Sequence, residues 1–144
     1  MQTKNLRAAL QKGFTLIELL VVIGILGILM AVVIVAVNPS RQFAQARDTQ
    51  RKADLSAITS AVVQYSVDHN GNYPTDVSDL PIITTSPVDV AILDTYLAPD
   101  YIAAVPTDPT PGAPAYTIML DASNRLVASA SSEQTPGTFI TITR

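Results

Sequence analysis

The 144 residues carry a formal charge of −3 and no cysteine, which leaves room for one modest head and excludes disulfide staples and thiol chemistry. Charge is unevenly spread: Lys4, Arg7 and Lys12 open the chain without an acid, Arg41, Arg47, Arg51 and Lys52 follow, and the stretch from Asp68 onward is acidic apart from Arg125 and Arg144. An acidic head argues against a phosphate-binding surface, and the single histidine, His69, has no second histidine or cysteine with which to build a metal or nucleophile pair. With no glycine-rich phosphate loop and no nucleophile elbow either, the chain reads as a protein that is not an enzyme.

In chain order, a basic leader gives way to residues 14–37, where only Thr15 and Glu18 are clearly polar. A helix of that length spans roughly 36 Å, enough to cross a hydrocarbon core of about 30 Å. The run is too long for the core of an ordinary secretory signal, and Val35-Ala36-Val37-Asn38-Pro39 lacks a small-x-small cleavage site. Hydropathy alone also permits a plain signal anchor. Basic residues flank the run almost equally, three before it and four within fifteen residues after it, so charge does not orient the segment. Their simplest role is contact with lipid headgroups.

The boundary residues Lys12-Gly13-Phe14-Thr15-Leu16-Ile17-Glu18-Leu19-Leu20, continued by Val21 to Leu29, resemble the signature of the type IV prepilin family, which includes the pseudopilins of type II secretion. The resemblance implies that prepilin peptidase recognises Lys12, cuts between Gly13 and Phe14 on the cytoplasmic side, and leaves Phe14 to be N-methylated. It also implies an inner-membrane, single-pass precursor with its head outside the cytoplasm, later assembled into a pilus or pseudopilus. The implied partners are copies of itself in a helical filament, other pilins, assembly-platform proteins and membrane lipid. A carboxylate within a membrane helix costs on the order of 3 kcal/mol, so Glu18 needs a partner or a task. The cut creates an amine at Phe14, and Glu18 of one subunit pairing with that amine on a neighbour would set register. Its position near a helix start, where the macrodipole favours an acid, is the milder explanation.

Residues 38–71 predict an amphipathic continuation. Asn38-Pro39 either interrupts one long helix, as the resemblance implies, or starts a second, with Pro39 at its first position. Leu55, Ile58, Val62 and Tyr65 recur at helical spacing and form one stripe. Asp48 is spaced to pair with Arg51 and Lys52 on what this reading takes as the solvated side. Asn70-Gly71 supplies the stop.

Residues 72–144 predict the head. Prolines and aspartates break its first part into loops, with a short helix near Asp89–Leu97. Three strands follow, marked by Tyr116/Ile118/Leu120, Leu126/Ala128/Ala130 and Ile140/Ile142, with Asp121–Asn124 as a hairpin connection and Thr135-Pro136-Gly137 as a break. The fold class is α+β: a long N-terminal helix, membrane-spanning in its first half and amphipathic in its second, packed on a small antiparallel sheet. Asp68-His69-Asn70-Gly71-Asn72-Tyr73-Pro74 and Val105-Pro106-Thr107-Asp108-Pro109 are also similar to segments of the family. Two features depart from it: the C-terminal cysteine pair of many larger pilins is absent, and Pro39 lies a few residues later than the usual helix proline. The resemblance to major pseudopilins further implies a calcium site before the sheet, for which Asp100, Asp108 and Asp121 are the oxygen donors to hand.

Two other readings compete with a filament subunit. One is a signal-anchored membrane protein whose acidic head binds a ligand outside the cytoplasm. The other is a competence pilin touching DNA through Arg41–Lys52, disfavoured because a filament would bury that helix.

Overall fold

The computed structural model describes residues 13–75, 78 and 81–144; Lys12, and the recognition role expected of it, lies outside the described residues. The chain falls into two compact units, one ending at Pro39 and the other starting at Ser40.

The first unit is helix α1, Leu16–Val37, whose 22 residues are long and apolar enough to cross a membrane and of which none is buried. Thr15 caps its start: the threonine Oγ1 accepts from the Glu18 backbone N–H at 3.2 Å. The helix ends at Asn38, which adopts a left-handed conformation (φ 46°). Helix α2, Pro39–Asp68, begins at the very next residue. Of the two outcomes that Asn38-Pro39 allowed, the structure has the second: a helix stop followed by a new helix with proline at its first position, where the missing N–H costs nothing.

In the second unit, α2 ends where Asn70 and Gly71 both take positive φ, and the Gly71 N–H returns to the Ser66 carbonyl at 2.7 Å. A two-residue strand β1, Val88–Asp89, leads into a 3₁₀ turn, Val90–Leu93, and a single-turn helix α3, Asp94–Leu97. Strands β2 (Thr117–Leu120), β3 (Leu126–Ser131) and β4 (Phe139–Thr143) complete a four-stranded antiparallel sheet in the order β1-β2-β3-β4. The Asp121–Asn124 connection is a turn in which Asp121 Oδ1 accepts from the Ser123 and Arg125 N–H groups while Asn124 sits at positive φ. The predicted strands fall where alternation put them. β1 was not predicted, because two residues carry no period.

The core sits between α2 and one face of the sheet. Leu55, Ile58 and Val62 of α2 are fully buried with Ile118, Leu126 and Ala128, and Tyr116 closes one end. Ile83, Val90, Leu93 and Leu97 cap the cluster from the loop region. The α+β architecture is therefore a helix laid on a small sheet, with a separate apolar helix before it.

Candidate functional site

At the N-terminal junction, Gly13 and Phe14 precede the first turn of α1, and Gly13, Phe14, Thr15 and Glu18 together line one shallow depression. Phe14 is 79% exposed, and nothing lies within 4 Å of where a Gly13 Cβ would stand. Among the described residues, nothing crowds the peptide between them. Glu18 occupies the third position after the Thr15 cap, in the turn where unsatisfied N–H groups favour an acid. The cap was readable, as Thr-x-x-Glu before an apolar run, but was not singled out.

The densest polar arrangement lies elsewhere, around Arg51. This residue is only 3% exposed and its guanidinium meets carboxylates from two different loops. Nε and Nη2 donate to the two oxygens of Asp108 at 2.7 and 2.8 Å, Nη2 also reaches Thr110 Oγ1 at 3.0 Å, and Nη1 donates to Asp48 at 2.8 Å and Glu133 at 3.4 Å. Asp48, itself 6% exposed, accepts further from the Ser132 hydroxyl at 2.7 Å and the N–H groups of Glu133 at 2.8 Å and Gln134 at 3.0 Å. Arg47, one turn before Arg51, forks onto Glu133. Two guanidinium groups on α2 thereby fasten the 108–110 loop and the 132–134 loop to the helix. No buried side-chain nitrogen or oxygen among the described residues lacks a partner. Such satisfaction is what makes a buried ionic cluster tolerable.

Charge follows the geometry. Burial opposes ionisation of Asp48, but the donors from Glu133, Ser132, Gln134 and Arg51 outweigh it and hold the carboxyl down at about 2. The fork from Arg51 lowers Asp108 against the same burial, and the fork from Arg47 lowers Glu133. Arg51 is raised, chiefly by Asp108. Next to this hub, Asp54 accepts from the Tyr116 hydroxyl at 2.8 Å and from Gln50 at 2.7 Å.

One expectation is corrected here. Asp48 and Arg51 do pair, yet on the buried side of α2, and the sequence held the signal: stepping back from Leu55 by four and then three residues continues the apolar stripe through Arg51 and Asp48. The three aspartates of the calcium reading make different contacts. Asp100 is exposed, Asp108 has both oxygens on Arg51, and Asp121 is engaged by Arg125 and its own turn. Among the described residues no group of three or more His, Cys, Asp or Glu converges on a metal position. His69 is exposed beyond the end of α2, stacked on Tyr65 with ring centroids 3.9 Å apart. The arrangement around Arg51 clamps loops to the helix.

Comparison with known proteins adds to this geometry. Residues 9–34 match the model of the prokaryotic N-terminal methylation motif, and residues 38–138 match that of type II secretion system (T2SS) protein G. The chain is 35% identical over 100 residues to the type II secretion system core protein G of Pectobacterium carotovorum subsp. carotovorum, a match covering 69% of this chain and 62% of that protein. It is 36% identical over 99 residues to the protein of the same description from Pseudomonas aeruginosa, covering 69% and 68%, and 33% identical over 100 residues to that of Escherichia coli (strain K12), covering 69% and 66%. The chain thus spans about two thirds of the length of these relatives, and somewhat less of the first. No solved structure gives a significant match.

The hub generates two expected outcomes. Asp48 has a folded value below its unfolded value of about 3.9, so its stabilisation is complete above that value and drains away as pH falls towards about 2. Asp108 and Glu133 act with the same sign. Thermal melts of the detergent-solubilised chain, followed by circular dichroism, should hold a constant Tm between about pH 6 and 8 and lose it steeply between about pH 4 and 2. A flat profile down to the lower limit would rule the clamp out. Arg51→Ala strands two buried carboxylates and should cost about 3–5 kcal/mol in urea unfolding, with Arg51→Lys recovering only part because an ammonium cannot fork.

Proposed function

Because the chain belongs to the type II secretion system protein G family, we propose that it is a structural, non-catalytic subunit of a pseudopilus, the filament of that secretion system. The observation carrying this reading is the adjacency of the two family matches: a methylation motif over residues 9–34 leads directly into a protein G region over 38–138. An N-terminal apolar helix long enough to cross a membrane, with every residue exposed, supports it further, because such a surface needs lipid or neighbouring helices to cover it.

In this proposal residues 1–13 are a leader removed by prepilin peptidase after Gly13, with Lys12 contributing to recognition, and Phe14 becomes the N-methylated first residue. Residues 14–37 anchor the precursor in the inner membrane and then enter the filament core. Residues 38–71 continue as the amphipathic helix and 72–144 form the head outside the cytoplasm. Copies of the same chain, other pseudopilins and platform proteins are the partners. The open Gly13–Phe14 peptide suits a protease, and Glu18 in the first turn lies close to where the new amine would appear. Paired with that amine on a neighbour, Glu18 would be neutralised on leaving the bilayer and would fix the axial step. The contact is short-ranged, so only one register satisfies it.

Mass spectrometry of the protein from cells expressing a prepilin peptidase should give an N-terminus at Phe14 carrying one added methyl. An intact Met1, or a cut near Val37, would favour the signal-anchored binding module instead. Glu18→Ala should be cut and methylated as usual yet yield few or misregistered filaments by electron microscopy; abundant normal filaments would remove the register role.

A further inference from the structure

The head's sheet has two unlike edges. At one side β1 is only two residues long and turns at once into the 3₁₀ segment, so that edge is blunted by its shortness. At the other side lies β4, five residues long, hydrogen-bonded to β3 alone and followed by no further strand among the described residues. The orientation of its backbone groups follows from the ladder. Leu126 and Arg144 exchange both N–H···O bonds, at 2.8 and 2.9 Å. Bonded pairs recur every second residue, so Ile142 and Ile140 also face β3, while the N–H and C=O groups of Phe139, Thr141 and Thr143 point away from the sheet. Phe139 is 70% exposed and Thr141 and Thr143 are exposed as well.

Edge strands are ordinarily protected by a charge, a proline or a bulge. Thr138-Phe139-Ile140-Thr141-Ile142-Thr143 has neither charge nor proline and consists of β-branched and aromatic residues, the composition that best suits strand pairing. It is also self-complementary. If β4 meets a second β4 antiparallel, with Thr141 facing Thr141, then Phe139 faces Thr143, Ile140 faces Ile142 and Arg144 faces Thr138. No like charges oppose each other, and all three outward residues of each strand find partners, about six backbone bonds across the axis. Side chains keep the faces they already occupy: the isoleucines stay on the core side, where each is now only half-buried and would gain cover from its counterpart. A slip of one residue would turn them to the wrong face.

We infer that the free edge of β4 is a homotypic docking site, at which the heads of two copies of this chain join into one continuous eight-stranded sheet about a two-fold axis through Thr141. The inference goes beyond the filament reading and does not depend on it. A two-fold contact closes on two chains, whereas a polar filament grows by a head-to-tail contact that repeats. The β4 pairing therefore joins chains that are not successive subunits of one filament.

The test uses the full chain in detergent. The protein has no cysteine, so Thr143→Cys carries a single nitroxide label. Pairing about Thr141 places the two labelled backbones about 15 Å apart, from a rise of about 3.4 Å per residue and a strand spacing of about 4.8 Å. Pulsed electron spin resonance should therefore give a short inter-chain distance, roughly 15–25 Å with the label arms. Adding Thr141→Lys places two lysines directly opposite each other and should abolish that distance; Thr141→Glu should do the same. An equimolar mixture of the two should restore it, and all variants should keep the melting temperature of the parent. Absence of the distance in the parent, its persistence in either charged variant alone, or no recovery in the mixture would each overturn the proposal.

Discussion

The head depends on one buried guanidinium. Much of the stretch between α2 and the sheet is irregular chain rich in proline, without disulfides, and a loop of that kind gains little from its own hydrogen bonds. Its apolar residues Ile83, Val90, Leu93 and Leu97 dock it at one end of the core. Arg51 also ties it down by reaching from α2 to Asp108, while Asp48 fastens the loop after β3. The two kinds of attachment rest on different physics. The apolar one is insensitive to pH, whereas the ionic one holds only while its carboxylates stay ionised.

A buried ion pair often contributes little net stability, because desolvation consumes the Coulomb gain. What it supplies here is direction. Hydrophobic contact would accept many placements of the 108–110 and 132–134 loops, whereas a planar fork accepts few. Asp108 offers both oxygens to Arg51, while Asp48 shares one oxygen between Arg51 and the Glu133 N–H and gives the other to Ser132 and Gln134, so each loop has one geometry that satisfies every donor. The Arg51 guanidinium thereby gathers acids from separate parts of the chain around one cation.

The legible parts of the chain were those with a strong period or a dense local motif. Leu55, Ile58 and Val62 announced a buried stripe, and Tyr116, Ile118, Leu126 and Ala128 announced a half-buried sheet; all are in the core. The Gly13-Phe14 boundary was legible because it combines a glycine, an aromatic and an acid at fixed spacing. What escaped depended on distance in sequence. Arg51 and Asp108 are 57 positions apart and Asp48 and Ser132 are 84 apart, so neither pairing leaves a local trace. Chemical type misled as well: an Asp and an Arg three residues apart read as a solvated pair, although their position on the helix placed both on the inward stripe.

The two helices show how one amphipathicity argument gives opposite answers. α2 is polar on average but buries one stripe, and that stripe packs against the sheet. α1 is apolar all round and buries nothing within its own chain. Gly24 and Gly27 have no neighbour within 4 Å of an added Cβ, so nothing among the described residues requires them to be glycine. Within a helix each costs about 1 kcal/mol relative to alanine, and the compensation has to come from outside, where a bare backbone lets another helix approach closely. The residues that make α1 suboptimal as an isolated helix are therefore those that suit it to being packed among others. Its surface is left for partners outside its own unit, while that of α2 is fitted to the head.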